Sequence, residues 1–380
     1  MNHDIKKKGS YGVLLLQTSY KKKMKETDSM QCDLKKLVAM SILVWGIIAH
    51  AYIFFEFYPS HDSLMIVSYD WQWQISLGRF AGPLYILIRD AINVPWLIGI
   101  LSFIFLGISL FLIFELLEFK NSTTIVLLCG LFVTNITTIN MYATYMPFAD
   151  IYMLALLCAC SGVYLLNKCF KYLPLSMLLL ALSMGLYQSY ISCAIALMIL
   201  HILRLALKGT NFERLWKIAV KYIICLIGSA ILYVTLVKIS LYIFDMSLSN
   251  GYNGLTTLFK SNIKTLFEII PNVYRHLFSF FGLLTGYNTM ALRICNLSIL
   301  GLGIFAWRIY FRKIAIPFLN KLVIGIAILV FPIGMDFAFI MAIGWAHELM
   351  LFSFCFIYLL LFIPYEHIVQ EKKKVKSYIC

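Results

Sequence analysis

Apolar runs of roughly membrane-crossing length follow one another along the 380-residue chain, separated by short polar or charged turns. A helix needs about 20 apolar residues to cross the hydrocarbon core. The pattern predicts spans over 37–55, 94–114, 122–140, 150–167, 172–186, 189–207, 219–244, 293–310, 318–336 and 346–364. As one helix, 172–207 would be about 54 Å long at 1.5 Å per residue, against a core of roughly 30 Å. Two short helices meeting near Tyr187–Gln188 fit instead. Two other segments are expected to lie in the interface. Residues 80–92 are too short to cross and end in the pair Arg89–Asp90. In 255–277, Leu255, Leu258, Phe259, Ile263, Leu266, Phe267, Ile270, Tyr274 and Leu277 take one helical face, and Lys260, Lys264 and Glu268 the other, with a kink at Pro271. The predicted fold is an all-α integral membrane bundle of about ten spans. A basic segment, 1–36, precedes the polytopic region 37–365, and a basic tail, 366–380, follows it.

Composition removes the soluble alternatives. Residues are 61% hydrophobic and only 13% charged, where water-soluble domains carry roughly 25% charge. The net charge of +14 does not point to nucleic acid, because of where it sits. Of the 32 Lys and Arg, 25 fall in segments expected to be cytoplasmic and 7 on the other side, the positive-inside bias that orients a membrane protein. Both termini are then cytoplasmic, and that basic surface lies against anionic lipid heads. Six of the ten cysteines (Cys129, Cys158, Cys160, Cys193, Cys225 and Cys355) fall in apolar runs and read as small hydrophobes, not as a disulfide set. Residues 1–36 carry no cleavable signal pattern, so the first long apolar run is expected to be an uncleaved anchor.

The candidate chemistry gathers in the outward loops. Asp62 follows the first span closely, where a carboxylate could take a proton from an attacking hydroxyl; the plain alternative is a solvated loop aspartate. Asp70 is a weaker candidate beside the Trp71-Gln72-Trp73 cluster, which also suits an aromatic belt. Arg79 stands where outward positive charge is scarce, and its fork matches phosphate oxygens; snorkelling to lipid phosphate competes with that reading. Lys260, Lys264, Arg275 and Arg293 share the argument more weakly. Asp150 opens the fourth span, where it could cap the helix or line a cleft. Tyr187 and Gln188, at a tight turn, could hydrogen-bond sugar hydroxyls, and His347 and Glu348 open the last span as ionisable groups at a membrane edge.

The segments HDSL, WQISLGRFAGPLY, PWLIGILS, FADIYMLALL, LSMGLYQSYI and HELM, in this order, resemble the bacterial glucosyltransferase II family over roughly residues 37–365. That family includes serotype-converting O-antigen glucosyltransferases. The resemblance implies a GT-C-like enzyme of the bacterial cytoplasmic membrane with its active site facing outward. It implies a polyprenyl-phosphate-linked sugar donor, typically glucose, and a lipid-linked surface-glycan acceptor, with a flippase and a carrier-charging glycosyltransferase as companions. Asp62 matches the acidic position of the first outer loop, and Arg79 falls on the family's Gly-Arg pair. Members often show paired acids at this place; here His61-Asp62 supplies one carboxylate, which speaks against a metal-binding pair. In that scheme Asp62 is the base, with Asp70 and Asp150 as further catalytic acids. Arg79, Lys260, Lys264 and Arg275 hold the phosphate, and His61, Trp71, Trp73, Tyr187, Gln188, His347 and Glu348 face the sugars. No cofactor is called for, and the use of a divalent ion is left open.

A transporter or flippase for lipid-linked glycans, or a polysaccharide polymerase, shares this compartment. Transporters usually keep ionisable groups near the bilayer midplane. Here the acids gather at the outer edge, and Lys238 is the main charge placed inside a span.

Overall fold

The computed structural model describes residues 31–56, 70–91, 93–249, 263–282, 289–314 and 316–379, with the backbone alone for 263–266 and 372–379. In chain order the helices are α1 (Gln31–Phe55), α2 (Trp71–Ser76), α3 (Ala81–Arg89), α4 (Pro95–Leu117), α5 (Ser122–Val133), α6 (Ile136–Thr144), α7 (Ala149–Lys168), α8 (Leu173–Leu186), α9 (Ile191–Leu207), α10 (Phe212–Ile243), α11 (Ile263–Phe280), α12 (Met290–Lys313), α13 (Phe318–Met335), α14 (Phe337–Met341) and α15 (Phe356–Ile379). Short 3-10 turns, Met146–Phe148, Phe170–Tyr172 and Gln188–Tyr190, lead into α7, α8 and α9, and a longer one, Glu348–Cys355, leads into α15. Among the described residues there is no strand. Among the described residues eight helical stretches are long and apolar enough to cross a membrane, nine if the bent pair α5–α6 is one span, and Phe170–Leu186 is a shorter apolar helix. The chain breaks at Tyr187–Gln188, where the length argument requires it.

Packing follows the distribution of apolar side chains. α4 is apolar around its whole circumference (PWLIGILSFIFLGISLFLIFELL), so it can face protein on one side and lipid on the other. It packs along α7, which also packs on α8; α9 lies against α13, α8 against α10, and α12 along α15. Ala155 and Ala159 of α7, Ala194 and Leu197 of α9, and Leu359 of α15 are fully buried, so these helices form the centre. α10 and α12 form the rim and turn Ile223, Ile227, Ile231, Leu302 and Ile304 outward. Such a girdle would drive aggregation in water and matches what lipid tails solvate.

The span expected over 122–140 is not one straight helix. α5 and α6 meet at an angle of 42°. Nothing in hydrocarbon can solvate the backbone freed at such a break, so side chains do it. Asn135 accepts from the Thr137 N–H at 3.0 Å and caps α6. Thr138 donates to the Phe132 carbonyl (2.8 Å), Thr134 to that of Gly130 (2.8 Å), and His50 Nε2 lies 2.9 Å from that of Val133. The His50 ring therefore carries its proton on Nε2, since a carbonyl only accepts.

The turns sort into two ends. Arg79–Gln188, Arg89–Asp150 and Tyr145–His347 meet at one; Glu115–Lys168, Glu118–Lys208 and Lys120–Glu366 meet at the other. At the latter end α15 runs on through the expected tail, and Glu366 is buried. Glu366 Oε1 accepts from the backbone N–H of Lys120 (2.7 Å) and Asn121 (3.0 Å), the free donors at the start of α5, and from Gln370 Nε2 (2.8 Å). Gln370 also donates to the Glu118 carbonyl and accepts from Arg204 Nη2. Glu366→Ala is expected to lower stability by about 1–3 kcal/mol, the penalty for stranding buried donors. The thermal midpoint of the detergent-purified protein reads this. Glu366→Gln, which keeps an acceptor oxygen, should lose less, and an unchanged midpoint in E366A would remove the clamp.

Candidate active site

Arg79 is built from its local sequence. Asp70 caps α2, its Oδ1 accepting from the Trp73 N–H at 2.9 Å. α2 ends at Gly78, whose φ of 80° lies in the left-handed region that glycine enters without strain. The turn closes by the Arg79 N–H donating to the Gln74 carbonyl at 2.9 Å, which throws the Arg79 side chain back across α2. Phe80 then seats against Gly185, where a Cβ would come within 2.6 Å of its ring. This close approach accounts for the glycine in GLYQSY.

The guanidinium of Arg79 rests in a neutral cradle. Nη1 donates to Gln74 Oε1 (3.2 Å), Nε to Gln188 Oε1 (3.5 Å), and its carbon stands 4.5 Å from the centre of the Tyr187 ring. Gln188 is held in turn: its Nε2 donates to the Leu77 carbonyl (2.6 Å) and to the Tyr233 hydroxyl (3.1 Å). Tyr233 in turn donates a hydrogen bond to the Gly78 carbonyl (3.2 Å). Among the described residues no carboxylate lies within ion-pair distance of Arg79. The group is half-buried, and no described acid matches its charge.

Asp150 has the opposite character. It is fully buried in the first turn of α7, and Arg89 Nε meets its Oδ2 at 3.1 Å. Tyr85 donates to the same oxygen at 2.9 Å, and Oδ1 accepts from the Ile151 N–H at 2.9 Å. Arg89 also donates from Nη2 to the Pro147 carbonyl (3.2 Å). Tyr85 and Arg89 stand one helical turn apart on α3, so one face of that helix clasps one carboxylate. Burial, then the Asp150 charge, push the Tyr85 phenol well above its usual range. Of the neighbours Arg89 and Asp90, Arg89 turns inward to Asp150, and Asp90 accepts from the Ala91 N–H.

Aromatic rings connect these elements. Tyr152, two residues beyond Asp150, stands 4.6 Å from Tyr187; Tyr187 contacts Tyr190 (5.9 Å), and Tyr190 stacks on Phe352 (5.6 Å). His347 opens the last 3-10 turn, its Nδ1 accepting from the Leu349 N–H (3.3 Å), which leaves Nε2 to donate to the Tyr145 hydroxyl at 3.0 Å. Glu348 accepts from Asn140 Nδ2. Arg79, Asp150, Tyr187, Gln188, His347 and Glu348 therefore share one end. Trp71 and Trp73 are exposed on α2 at the same end, Trp71 against Phe244.

No described contact joins the other expected site residues to this cluster. His61, Asp62 and Lys260 lie outside the described residues, and so does the side chain of Lys264. Arg275 is exposed on α11, with no contact joining it to Arg79. Of the amphipathic helix expected over 255–277, residues 255–262 lie outside the described residues and the rest falls in α11, with Pro271 inside it; on the predicted apolar face Ile270, Tyr274 and Leu277 are half-buried and Phe267 is exposed, and the deepest burial falls beside it. Ile269, Val273 and Phe280 are buried while Phe267 and Phe278 are exposed. A polar anchor decides the face: His276 Nδ1 meets the buried Asp336 at 2.8 Å. Lys238 is exposed near the end of α10, not at mid-span. Arg89, Tyr85, Tyr145, Asn140 and the His276–Asp336 pair were not legible as site residues. The one available signal was an acid at each helix edge (Asp150, Asp336, Glu348) without a cation close in sequence. Among the described residues no three His, Cys, Asp or Glu side chains converge as a metal site.

No curated protein and no solved structure is significantly similar to the chain. The family described as Glucosyl transferase GtrII matches residues 51–367, from the end of α1 to one residue beyond the Glu366 clamp. The match takes in the Arg79 cradle, the Asp150 clasp and the His347–Glu348 turn within one continuous membrane bundle. The chain therefore belongs to the Glucosyl transferase GtrII family and is a membrane-embedded glucosyltransferase acting on surface polysaccharide.

Proposed function

We propose that the enzyme takes its sugar from a polyprenyl-phosphate carrier on the outer side of the bacterial cytoplasmic membrane and that Arg79 receives the carrier's phosphate. The observation that carries this is the cradle itself: an arginine fork held by two amides and a tyrosine ring, with no acid among the described residues to cancel its charge. A resident carboxylate would compete with a phosphate; neutral partners orient the fork and leave it able to bind an anion. Asp62 accepts the proton of the acceptor hydroxyl. That oxygen bonds to the anomeric carbon, the bond from that carbon to the phosphate oxygen breaks, and its electron pair leaves with the polyprenyl phosphate. A single displacement of this kind inverts the anomeric centre. Cations beside the leaving phosphate lower the barrier by meeting its developing charge; Lys260, Lys264 and Arg275 assist Arg79 there.

In this reading the acceptor is a lipid-linked glycan, and His61, Trp71, Trp73, Tyr187, Gln188, His347 and Glu348 contact the sugars. Asp70 shapes α2, and Asp150 acts by fixing Arg89 and Tyr85 beside the cleft. A flippase and a carrier-charging glycosyltransferase supply the donor.

The test is glucose incorporation by purified protein given polyprenyl-phosphate glucose and acceptor glycan. Arg79→Ala is expected to lower kcat/KM for the donor by about 10- to 100-fold, the loss of a charge-assisted bidentate contact. Arg79→Lys keeps the charge without the fork and should fall between. Donor kinetics unchanged in R79A would return Arg79 to an anchoring role. Movement of the lipid-linked sugar across vesicles without incorporation would favour a transporter instead.

A further inference from the structure

At the end of the bundle opposite Arg79, the ends of α4, α7, α9 and α10 surround a recess of about 400 Å³. Its wall includes Glu115, Glu118, Lys168, His201, Arg214 and Lys221. Both acids are already matched. Glu115 pairs with Lys168 at 3.0 Å, and Glu118 pairs with Lys208. Burial works against the Glu118 charge, yet Lys208, Arg204 and Lys120 outweigh it and hold the carboxyl below its ordinary range. Two cations are left over: among the described residues no carboxylate lies within ion-pair distance of Arg214 or Lys221.

Of the two, Lys221 is half-buried and held by the fold, and Arg214 is exposed. Lys221 donates to the Leu166 carbonyl (3.0 Å) and to Asn167 Oδ1 (3.4 Å), which uses two of the three protons an ammonium offers. Arg214 stands two turns earlier on the same helix, beside the mouth. His201 turns Nδ1 to the Tyr222 hydroxyl at 2.6 Å, so its Nε2 edge is free of that bond. On α10 the recess is lined by Arg214, Ile218 and Lys221, and the opposite face of the helix turns Trp216, Ile223 and Ile227 out to lipid.

We propose that this recess binds a phosphate oxyanion through Arg214 and Lys221, and that its occupant is the headgroup of an anionic phospholipid. Basic pockets between spans are suited to such headgroups. The charge asymmetry of the sequence puts this leaflet on the cytoplasmic side. The site is separate from sugar transfer and stands whether or not Arg79 holds the donor.

Full-length protein purified in detergent and stripped of lipid would be titrated with phosphatidylglycerol, phosphatidylcholine and inorganic phosphate. Thermal midpoint and native mass spectrometry are the readouts. Phosphatidylglycerol is expected to raise the midpoint and stay bound, phosphatidylcholine to do neither. Arg214→Gln with Lys221→Gln should weaken phosphatidylglycerol binding by about tenfold or more, two charge-assisted contacts being lost. Lys217→Gln, exposed on α10 and outside the recess, is the charge control and should change binding little. The lipid-free midpoint of each variant checks its folding. Inorganic phosphate protecting as well as the lipid, and only in protein that keeps Arg214 and Lys221, would support the oxyanion site and overturn the lipid as its source. Equal binding of both lipids, or wild-type phosphatidylglycerol binding by the double variant, overturns the site.

Discussion

Asp62→Asn is expected to cut sugar transfer by roughly 10²- to 10⁴-fold, the range a positioned acid–base group contributes, while the protein still inserts and folds. The asparagine amide has nearly the shape of the carboxylate but cannot hold the hydroxyl's proton, so it isolates proton transfer from packing. The effect should appear in kcat more than in donor KM, because the loss falls on the reacting hydroxyl and not on the phosphate. Labelled-glucose incorporation by purified D62N, beside a protease-resistance check of folding, makes the measurement. A variant as fast as wild type would remove Asp62 from the reaction, and so would chemical labelling that reaches position 62 only from the cytoplasm.

The second large effect concerns stability. Arg89→Ala is expected to destabilise the protein by about 3–5 kcal/mol, because it leaves the fully buried Asp150 carboxylate with Tyr85 and backbone donors but no counter-charge. Replacing both partners, Arg89→Met with Asp150→Asn, removes the stranded charge and should recover much of the loss. The two changes are in contact, so their effects are not additive. Thermal unfolding in detergent and proteolysis of the α3 region report both. If R89A unfolds at the wild-type midpoint, the clasp contributes nothing to holding α3 on α7. Activity lost in the double variant while stability returns would instead mark the pair as positioning residues for the cleft.

The sequence carried the bundle because lipid imposes a length rule that few other environments do. The split of 172–207 followed from length alone, and the structure breaks at that turn. The bend at Thr134–Asn135 was hidden for the same reason: the apolar run continues through it, and what makes it tolerable is His50, which reaches the Val133 carbonyl from another helix. Within the candidate site, Arg79 and Gln188 could be nominated singly from their residue types. Their joining with Gln74 and Tyr233 could not, since hydropathy says nothing of which turns meet. Asp150 read as a capping or cleft residue until Arg89 and Tyr85 arrived from a helix too short to cross. On α11 the hydropathy of one segment pointed to one face, and a tertiary anchor, His276 on Asp336, set the deepest burial beside it.

The Glu366 clamp has a consequence for biosynthesis. Its bond to the Lys120 amide spans 246 positions of the chain, so the residues that lead into α5 reach the membrane long before their acceptor has been translated. Until α15 emerges from the ribosome, those amides have only water at the membrane edge to satisfy them. Closure at that end therefore has to wait for α15, and nascent chains stopped short of Glu366 should remain accessible to proteases there.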